Sequence, residues 1–113
     1  MATRDVTLEP ASSGNADVTP HKLEDVDAGD IIEFTAKDSV FTVSIPKANV
    51  LFADWTKPFW QKRIAVGTGS SEQTPPIKSG LASKSEWEYS VYCEEKRDWA
   101  DNPGSSPPKI III

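Results

Sequence analysis

The chain has 113 residues, a formal net charge of −5, one cysteine and one histidine. This length fits one domain that buries a core without needing a disulfide or a metal. The negative charge and scattered basic residues argue against nucleic-acid binding, which draws much of its affinity from clustered lysine and arginine. We therefore expect a single domain over residues 1–113 with no nucleic-acid partner.

The sequence carries no membrane or secretion signal. The N-terminal residues MATRDV lack the apolar run of a signal peptide, and no stretch approaches the ~18 apolar residues of a transmembrane helix. We expect no membrane contact and a cytoplasmic location, unless a leader precedes Met1 in the natural protein. A single cysteine forms no intrachain disulfide, so cysteine content leaves the compartment open.

Two-residue alternation in the first part of the chain predicts β-strands. Val6 and Leu8 alternate with polar residues, which predicts a short opening strand. Residues 18–26 carry apolar residues around a proline, which predicts an irregular edge strand and then a turn. Residues 32–37 and 41–45 alternate cleanly across a short connection, so we predict an antiparallel hairpin with one buried face.

The middle of the chain is less regular. Residues 47–63 are predicted to form a loop with a single helical turn, and residues 64–66 a brief strand. The Gly-, Ser- and Pro-rich segment 67–76 is predicted to be a polar connection without core residues. Ile77 and Leu81 are expected to anchor its far end.

The clearest pattern is WEYSVYC at residues 87–93, a strand-like alternation that ends on Cys93. Cys93 has the parity of the apolar positions, so we expect a buried thiol that packs as a small hydrophobe. After a long loop the chain ends in Lys109 and four isoleucines. Because an exposed β-branched edge promotes aggregation, we expect this tail to lie inside a sheet.

The order of these segments resembles the cupredoxin family over about residues 29–113. The resemblance is carried by GDIIEF at 29–34, DSVFTVSI at 38–45, and the strand at 87–93 followed by a loop and a last strand. It implies our fold prediction, an all-β Greek-key β-sandwich of about seven strands with a short helical turn in the 47–63 loop. It also implies a copper site in which Cys93 matches the family's cysteine position.

The rest of the copper ligand set is absent. Blue-copper members hold the metal with two histidines, a cysteine and a weak axial methionine. The first histidine is expected near Phe41, and the second soon after Cys93, where the sequence reads EEKR. The only histidine, His21, lies upstream of both positions and is expected to be exposed. We therefore predict no metal, no cofactor and no enzyme activity, with an atypical copper-binding electron-transfer protein built on Cys93 as one alternative.

Large aromatic residues are the remaining binding candidates. We predict a structural or protein-interaction module in which Trp55, Phe59 and Trp60 contact a protein partner or a second copy, with Trp99 as a companion. These rings would otherwise fold over one end of the sandwich and fill the space left by the missing metal site. A second alternative is a carbohydrate-binding sandwich whose exposed tryptophan rings stack on sugars.

Overall fold

The computed structural model describes residues 2–10, 16–53, 55, 63–94, 98–99 and 107–113. This part of the chain is mostly β-structure with one short helix, which confirms the all-β expectation. It contains eleven strands, more than the seven predicted, partly because two predicted strands are each divided. The elements are β1 Thr3–Pro10, β2 Ala16–Thr19, β3 Lys22–Val26, β4 Ile31–Ala36, β5 Phe41–Ser44, α1 Ala48–Leu51, β6 Arg63–Val66, β7 Ser71–Gln73, β8 Glu86–Glu88, β9 Ser90–Cys93, β10 Asp98–Trp99 and β11 Lys109–Ile112.

The strands form three sheets around one core. Their orders are β2-β1-β4-β7, β10-β9-β5-β6 and β3-β11-β8. Most neighbours are antiparallel, but β1 runs parallel to β4 and β11 runs parallel to β3. The buried apolar side chains of all three sheets belong to a single cluster, giving a sandwich-like arrangement. Its largest fully buried members are Tyr89, Phe34, Phe41 and Phe52.

The alternation predicted for β1, β4 and β5 is confirmed, but the hairpin between β4 and β5 is wrong. β4 pairs with β1 and β7, whereas β5 pairs with β6 and β9. The connection 37–40 therefore passes from one sheet to another. Alternation reports only which face of a strand is buried, and both strands bury that face in the same core without pairing with each other.

The irregular edge strand predicted at residues 18–26 is two strands. β2 pairs with β1, and β3 pairs with β11, each at the edge of its own sheet. Pro20 lies between them, where no ladder hydrogen bond is required of it. The apolar residues Val18, Leu23 and Val26 are buried, as the pattern predicts.

The segment 67–76 contains a strand that the sequence analysis missed. Ser71–Gln73 form β7, which pairs antiparallel with β4. Thr74 is buried, and its hydroxyl accepts a hydrogen bond from the Ile32 backbone N–H at 3.1 Å. All three residues of β7 are exposed, so the strand leaves no apolar alternation to detect.

Other predicted elements are confirmed. A single helical turn, α1, lies in the 47–63 loop, and residues 63–66 form a strand. Ile77 is buried and bridges to Phe52, while Leu81 packs against the core. The isoleucine tail forms β11 between β3 and β8, with Ile110 and Ile112 buried.

The turn before β4 is fixed by a buried carboxylate. One Asp30 oxygen accepts a hydrogen bond from the Ala2 N–H at 2.9 Å, and the other accepts from the Asp27 N–H at 2.9 Å. The Arg4 guanidinium lies 3.8 Å from the same carboxylate. Asp30 therefore joins the start of β1 to the start of β4, the two strands that pair in parallel.

Tyr89 places a phenol in the core between β8 and β9. Its ring meets Phe34 edge-on, with ring centroids 5.8 Å apart. The hydroxyl is buried and has no hydrogen-bond partner among the described residues. Burial raises the pKa of Tyr89 well above its ordinary value.

We expect Tyr89→Phe to leave the free energy of unfolding unchanged or raise it by up to about 1 kcal/mol at neutral pH, because the unpaired hydroxyl is removed and the ring stays. Tyr89→Ala should cost about 3–5 kcal/mol. Above about pH 10 the unfolded tyrosine ionises while the buried one stays neutral, so the wild type should lose stability that the Phe variant keeps.

Urea unfolding of the wild type and both variants, at neutral pH and near pH 11, measures these differences. A Phe variant that is more than about 1 kcal/mol less stable at neutral pH would show that the hydroxyl has a partner in solution.

Candidate functional site

The residues at the cysteine end of β9 form the first region of interest. Phe41 stands directly opposite Cys93 in the β5–β9 ladder, and both side chains are completely buried. The Cys93 thiol lies 3.8 Å from the hydroxyl oxygen of Ser39, which is also buried. We call these three residues the Cys93 end. The prediction that Cys93 lies in the core is confirmed.

A blue-copper donor set does not assemble at the Cys93 end. Phe41 places an apolar ring where the cupredoxin resemblance expects an imidazole. Among the described residues, no group of three or more His, Cys, Asp or Glu side chains is arranged to hold a metal ion. Residues 95–97, which follow Cys93 closely, lie outside that part of the chain but contain no histidine.

His21 is not exposed, so that expectation is wrong. Its side chain is half-buried, and Nε2 is buried without a hydrogen-bond partner in the described ranges. The residue precedes β3, and its backbone oxygen accepts a hydrogen bond from Lys109 at 3.0 Å. β3 and β9 belong to different sheets, so the histidine and Cys93 sit on separate parts of the sandwich.

Of the four aromatic residues predicted to bind a partner, Trp55 is the one whose side chain the structure describes. Trp55 is half-buried, and its ring stacks on Phe52 with centroids 5.7 Å apart. Its indole nitrogen is buried and finds no acceptor in the part of the chain that the structure describes. Phe59 and Trp60 lie outside the described residues. Trp99 belongs to β10, where only its backbone pairing with β9 is described.

A groove of about 360 Å³ lies between the end of β5 and β8, and we call it the Trp87 groove. Trp87 is half-buried in it, and its indole N–H donates a hydrogen bond to the Ser85 hydroxyl at 3.0 Å. The Lys47 ammonium lies 6.0 Å from the centroid of the Trp87 ring. The lining residues are Ile45, Pro46, Lys47, Ser85, Glu86, Trp87 and Glu88.

The groove exists because Pro46 ends β5. The β5–β9 ladder runs from the pair Phe41–Cys93 to the pair Ser44–Ser90. Continuing that register would place Pro46 opposite Glu88 at a position that needs a backbone donor, and proline has no N–H. The chain instead turns into α1, so β8 continues past the end of β5.

One edge of β8 is left open as a result. The Tyr89 N–H donates to the Pro108 oxygen at 3.1 Å, and the Ile112 N–H donates to the Ser85 oxygen at 3.0 Å, so odd-numbered residues of this segment face β11. The backbone groups of Glu86 and Glu88 consequently point the other way, toward the groove. Over the described ranges, β11 is the one strand that pairs with β8.

Two glutamates, Glu86 and Glu88, line the β8 side of the groove. The Glu86 carboxylate accepts a hydrogen bond from the Lys109 ammonium at 2.9 Å. This hydrogen bond and the lysine charge lower the pKa of Glu86, and the same hydrogen bond raises the pKa of Lys109. Glu88 is exposed and forms no salt bridge within the described part of the chain. Lys109 stands opposite Glu88 in the β8–β11 pair, and the Glu88 charge also helps to raise the pKa of Lys109. Two carboxylates therefore flank the open edge, and Lys109 makes its salt bridge with one of them.

The sequence pattern did not predict this groove. Trp87 has the same parity as Cys93, and it packs against the core while also lining the groove. The available signal was Pro46 directly after a clean alternation, since a proline there ends one strand while its neighbour continues. The pairing of β5 with β9, which makes this signal meaningful, cannot be read from local pattern.

Comparison with known proteins does not place the chain in a family. No protein-family model matches the sequence, and no curated protein matches it. Within the described residues, no helix is long and apolar enough to cross a membrane.

We expect the Cys93 thiol to react slowly with a water-soluble maleimide under native conditions and rapidly in denaturant, because the completely buried sulfur must be exposed by opening of the structure. Mass spectrometry over time measures the labelling, and Cys93→Ser is the control for reaction elsewhere. Equal rates in the two conditions would contradict the buried assignment and show that the thiol is accessible in the native protein.

Proposed function

We propose that this protein is a cupredoxin-like Greek-key β-sandwich that holds no copper and acts as a non-catalytic protein-interaction domain. The observation that carries the proposal is the register of the β5–β9 ladder. At one end the register puts Phe41 against Cys93, and at the other it stops at Ser44–Ser90 and leaves the groove open.

The strand connections support the cupredoxin-like part of the proposal. The chain crosses between sheets from β4 to β5 and from β6 to β7. Antiparallel neighbours in the sheets are often distant in sequence, as for β4 beside β7 and β5 beside β9. Antiparallel pairs joined by such crossings are typical of Greek-key sandwiches.

The residues at the Cys93 end do not fit a blue-copper ion. Copper in such a site needs imidazole donors beside the thiolate, and the position opposite Cys93 carries a phenyl ring. The only histidine of the chain, His21, precedes β3, which lies in a different sheet from β9. Phe41 and Cys93 instead contribute apolar surface to the common core, so we derive no electron-transfer step from this end.

Adding Cu(II) to the protein is expected to produce no intense visible thiolate-to-copper absorption, because Cys93 is buried and lacks imidazole partners. Absorption spectroscopy and electron paramagnetic resonance measure the outcome, with Cys93→Ala as the control. An intense band in the wild type that disappears in Cys93→Ala would contradict the proposal and revive the copper alternative.

The Trp87 groove supports the interaction part of the proposal. A half-buried tryptophan beside unpaired backbone groups combines an anchor for a partner side chain with hydrogen-bonding sites for a partner backbone. The aromatic segment around Trp55, Phe59 and Trp60, with Trp99, stays a prediction of a second contact surface. Sugar binding by Trp55 and Trp60 also stays a prediction.

Selection of displayed random peptides against the immobilised protein is expected to enrich ligands whose affinity falls by about tenfold or more in Trp87→Ala, because truncating a central interface tryptophan typically costs about 2 kcal/mol. Val50→Ala is the matched control, since Val50 is exposed on α1 and does not line the groove.

Binding that survives Trp87→Ala but is lost in Trp55→Ala would move the interaction to the aromatic segment. Sedimentation and peptide selection that find neither self-association nor any ligand would contradict the interaction function.

A further inference from the structure

We propose that β8 binds its partner by strand addition: an extended peptide with alternating basic and apolar residues pairs antiparallel with Glu86–Glu88 in the Trp87 groove. The inference rests on the interaction function proposed above and names the class of partner. It follows from the backbone edge, the space left by β5, and the side chains that β8 already accepts on its other edge.

The backbone edge supplies the hydrogen bonds. Because odd-numbered residues bond to β11, the N–H and C=O groups of Glu86 and Glu88 face the groove, which gives two donors and two acceptors. An added antiparallel strand satisfies all four with two of its own residues. Such main-chain pairing is how extended peptides join exposed sheet edges.

The direction of the added strand follows from the strand it replaces. β5 is antiparallel to β9, and it would continue alongside β8 if Pro46 did not turn the chain away. A peptide in the groove occupies the space that a longer β5 would fill, next to Ile45 and Pro46, which line the groove. The antiparallel direction therefore extends the existing ladder past Ser44–Ser90.

The pairing of β8 with β11 shows which side chains fit opposite those of β8. On β11, Lys109 stands opposite Glu88 and contacts the Glu86 carboxylate at 2.9 Å, while Ile110 stands opposite Trp87. The same faces continue across the open edge, so residues opposite the two glutamates are best basic and the residue opposite Trp87 is best apolar. The preferred core of the peptide is basic–apolar–basic.

Charge also argues against a second copy of β8 as the occupant. Antiparallel pairing of two β8 strands about Trp87 would place Glu86 of each copy opposite Glu88 of the other, and like charges directly opposite one another destabilise a strand pair. The net charge of −5 adds to this repulsion. A basic strand instead brings cations beside Glu86 and Glu88, which share Lys109 on the other edge of β8.

Lys47 lies on the opposite wall of the groove. Its ammonium is 6.0 Å from the Trp87 ring centroid and its side chain is exposed. The apolar residue of the peptide competes with it for the ring, so removing the lysine charge favours a basic ligand. Lys47→Ala is expected to bind the basic peptide as tightly as the wild type or more tightly.

Three capped peptides test the proposal by amide NMR titration and hydrogen exchange. The first has a Lys-Val repeat and the second a Glu-Val repeat. The third is the Lys-Val peptide with an N-methyl group on the backbone nitrogen of each lysine, the residue type proposed to pair with Glu86 and Glu88. We expect the first to bind, to slow exchange of the Glu86 and Glu88 amides, and to weaken as salt is added. The acidic and N-methylated peptides should bind at least about tenfold more weakly.

Glu88→Lys should weaken binding of the Lys-Val peptide by about threefold to tenfold and strengthen binding of the Glu-Val peptide. Glu72→Lys is the matched control. This substitution makes the same charge change on the exposed strand β7, and Glu72 does not line the groove.

Equal binding of the basic and acidic peptides, or binding that leaves the Glu86 and Glu88 amides unprotected, would overturn the inference. If peptides selected from a random library still bind through Trp87 in that case, the interaction function stands without strand addition. If no ligand binds anywhere on the protein, the interaction function fails as well.

Discussion

Four consecutive residue pairs join β5 to β9, and their hydrogen bonding decides what stands at each end of the ladder. At one end two buried side chains, Phe41 and Cys93, meet across the strands. At the other end the missing N–H of Pro46 stops the pairing. The Cys93 end and the Trp87 groove therefore both follow from the register of this ladder. A slip of a single residue would turn the buried face of β5 toward solvent.

Apolar side chains pack tightly at the Cys93 end. Phe41, Val43, Val91 and Cys93 are all completely buried and belong to the cluster that links the three sheets. Each of the phenylalanine and valine side chains contributes about 1.5–3 kcal/mol when it is removed from water. At this end of the molecule, hydrophobic packing occupies the place that copper coordination holds in the family that the chain resembles.

The open groove reflects a different balance. An exposed strand edge invites pairing with other chains, and charged side chains are a common protection against uncontrolled pairing. Glu86 and Glu88 provide that protection against a second copy of β8. The same two carboxylates favour a basic strand, because they repel negative side chains and attract positive ones.

The amino-acid sequence by itself determined which residues are buried along β1, β4, β5 and β9, because apolar alternation records the solvated and buried faces of each strand. It also determined the absence of copper donors near Phe41. Only the tertiary structure decided that β4 and β5 lie in different sheets, that exposed residues 71–73 form a strand, and that Pro46 opens a groove beside Trp87. These features depend on which strands pair across long sequence separations, and backbone hydrogen bonds leave no periodic signature in the side chains of the residues that form them.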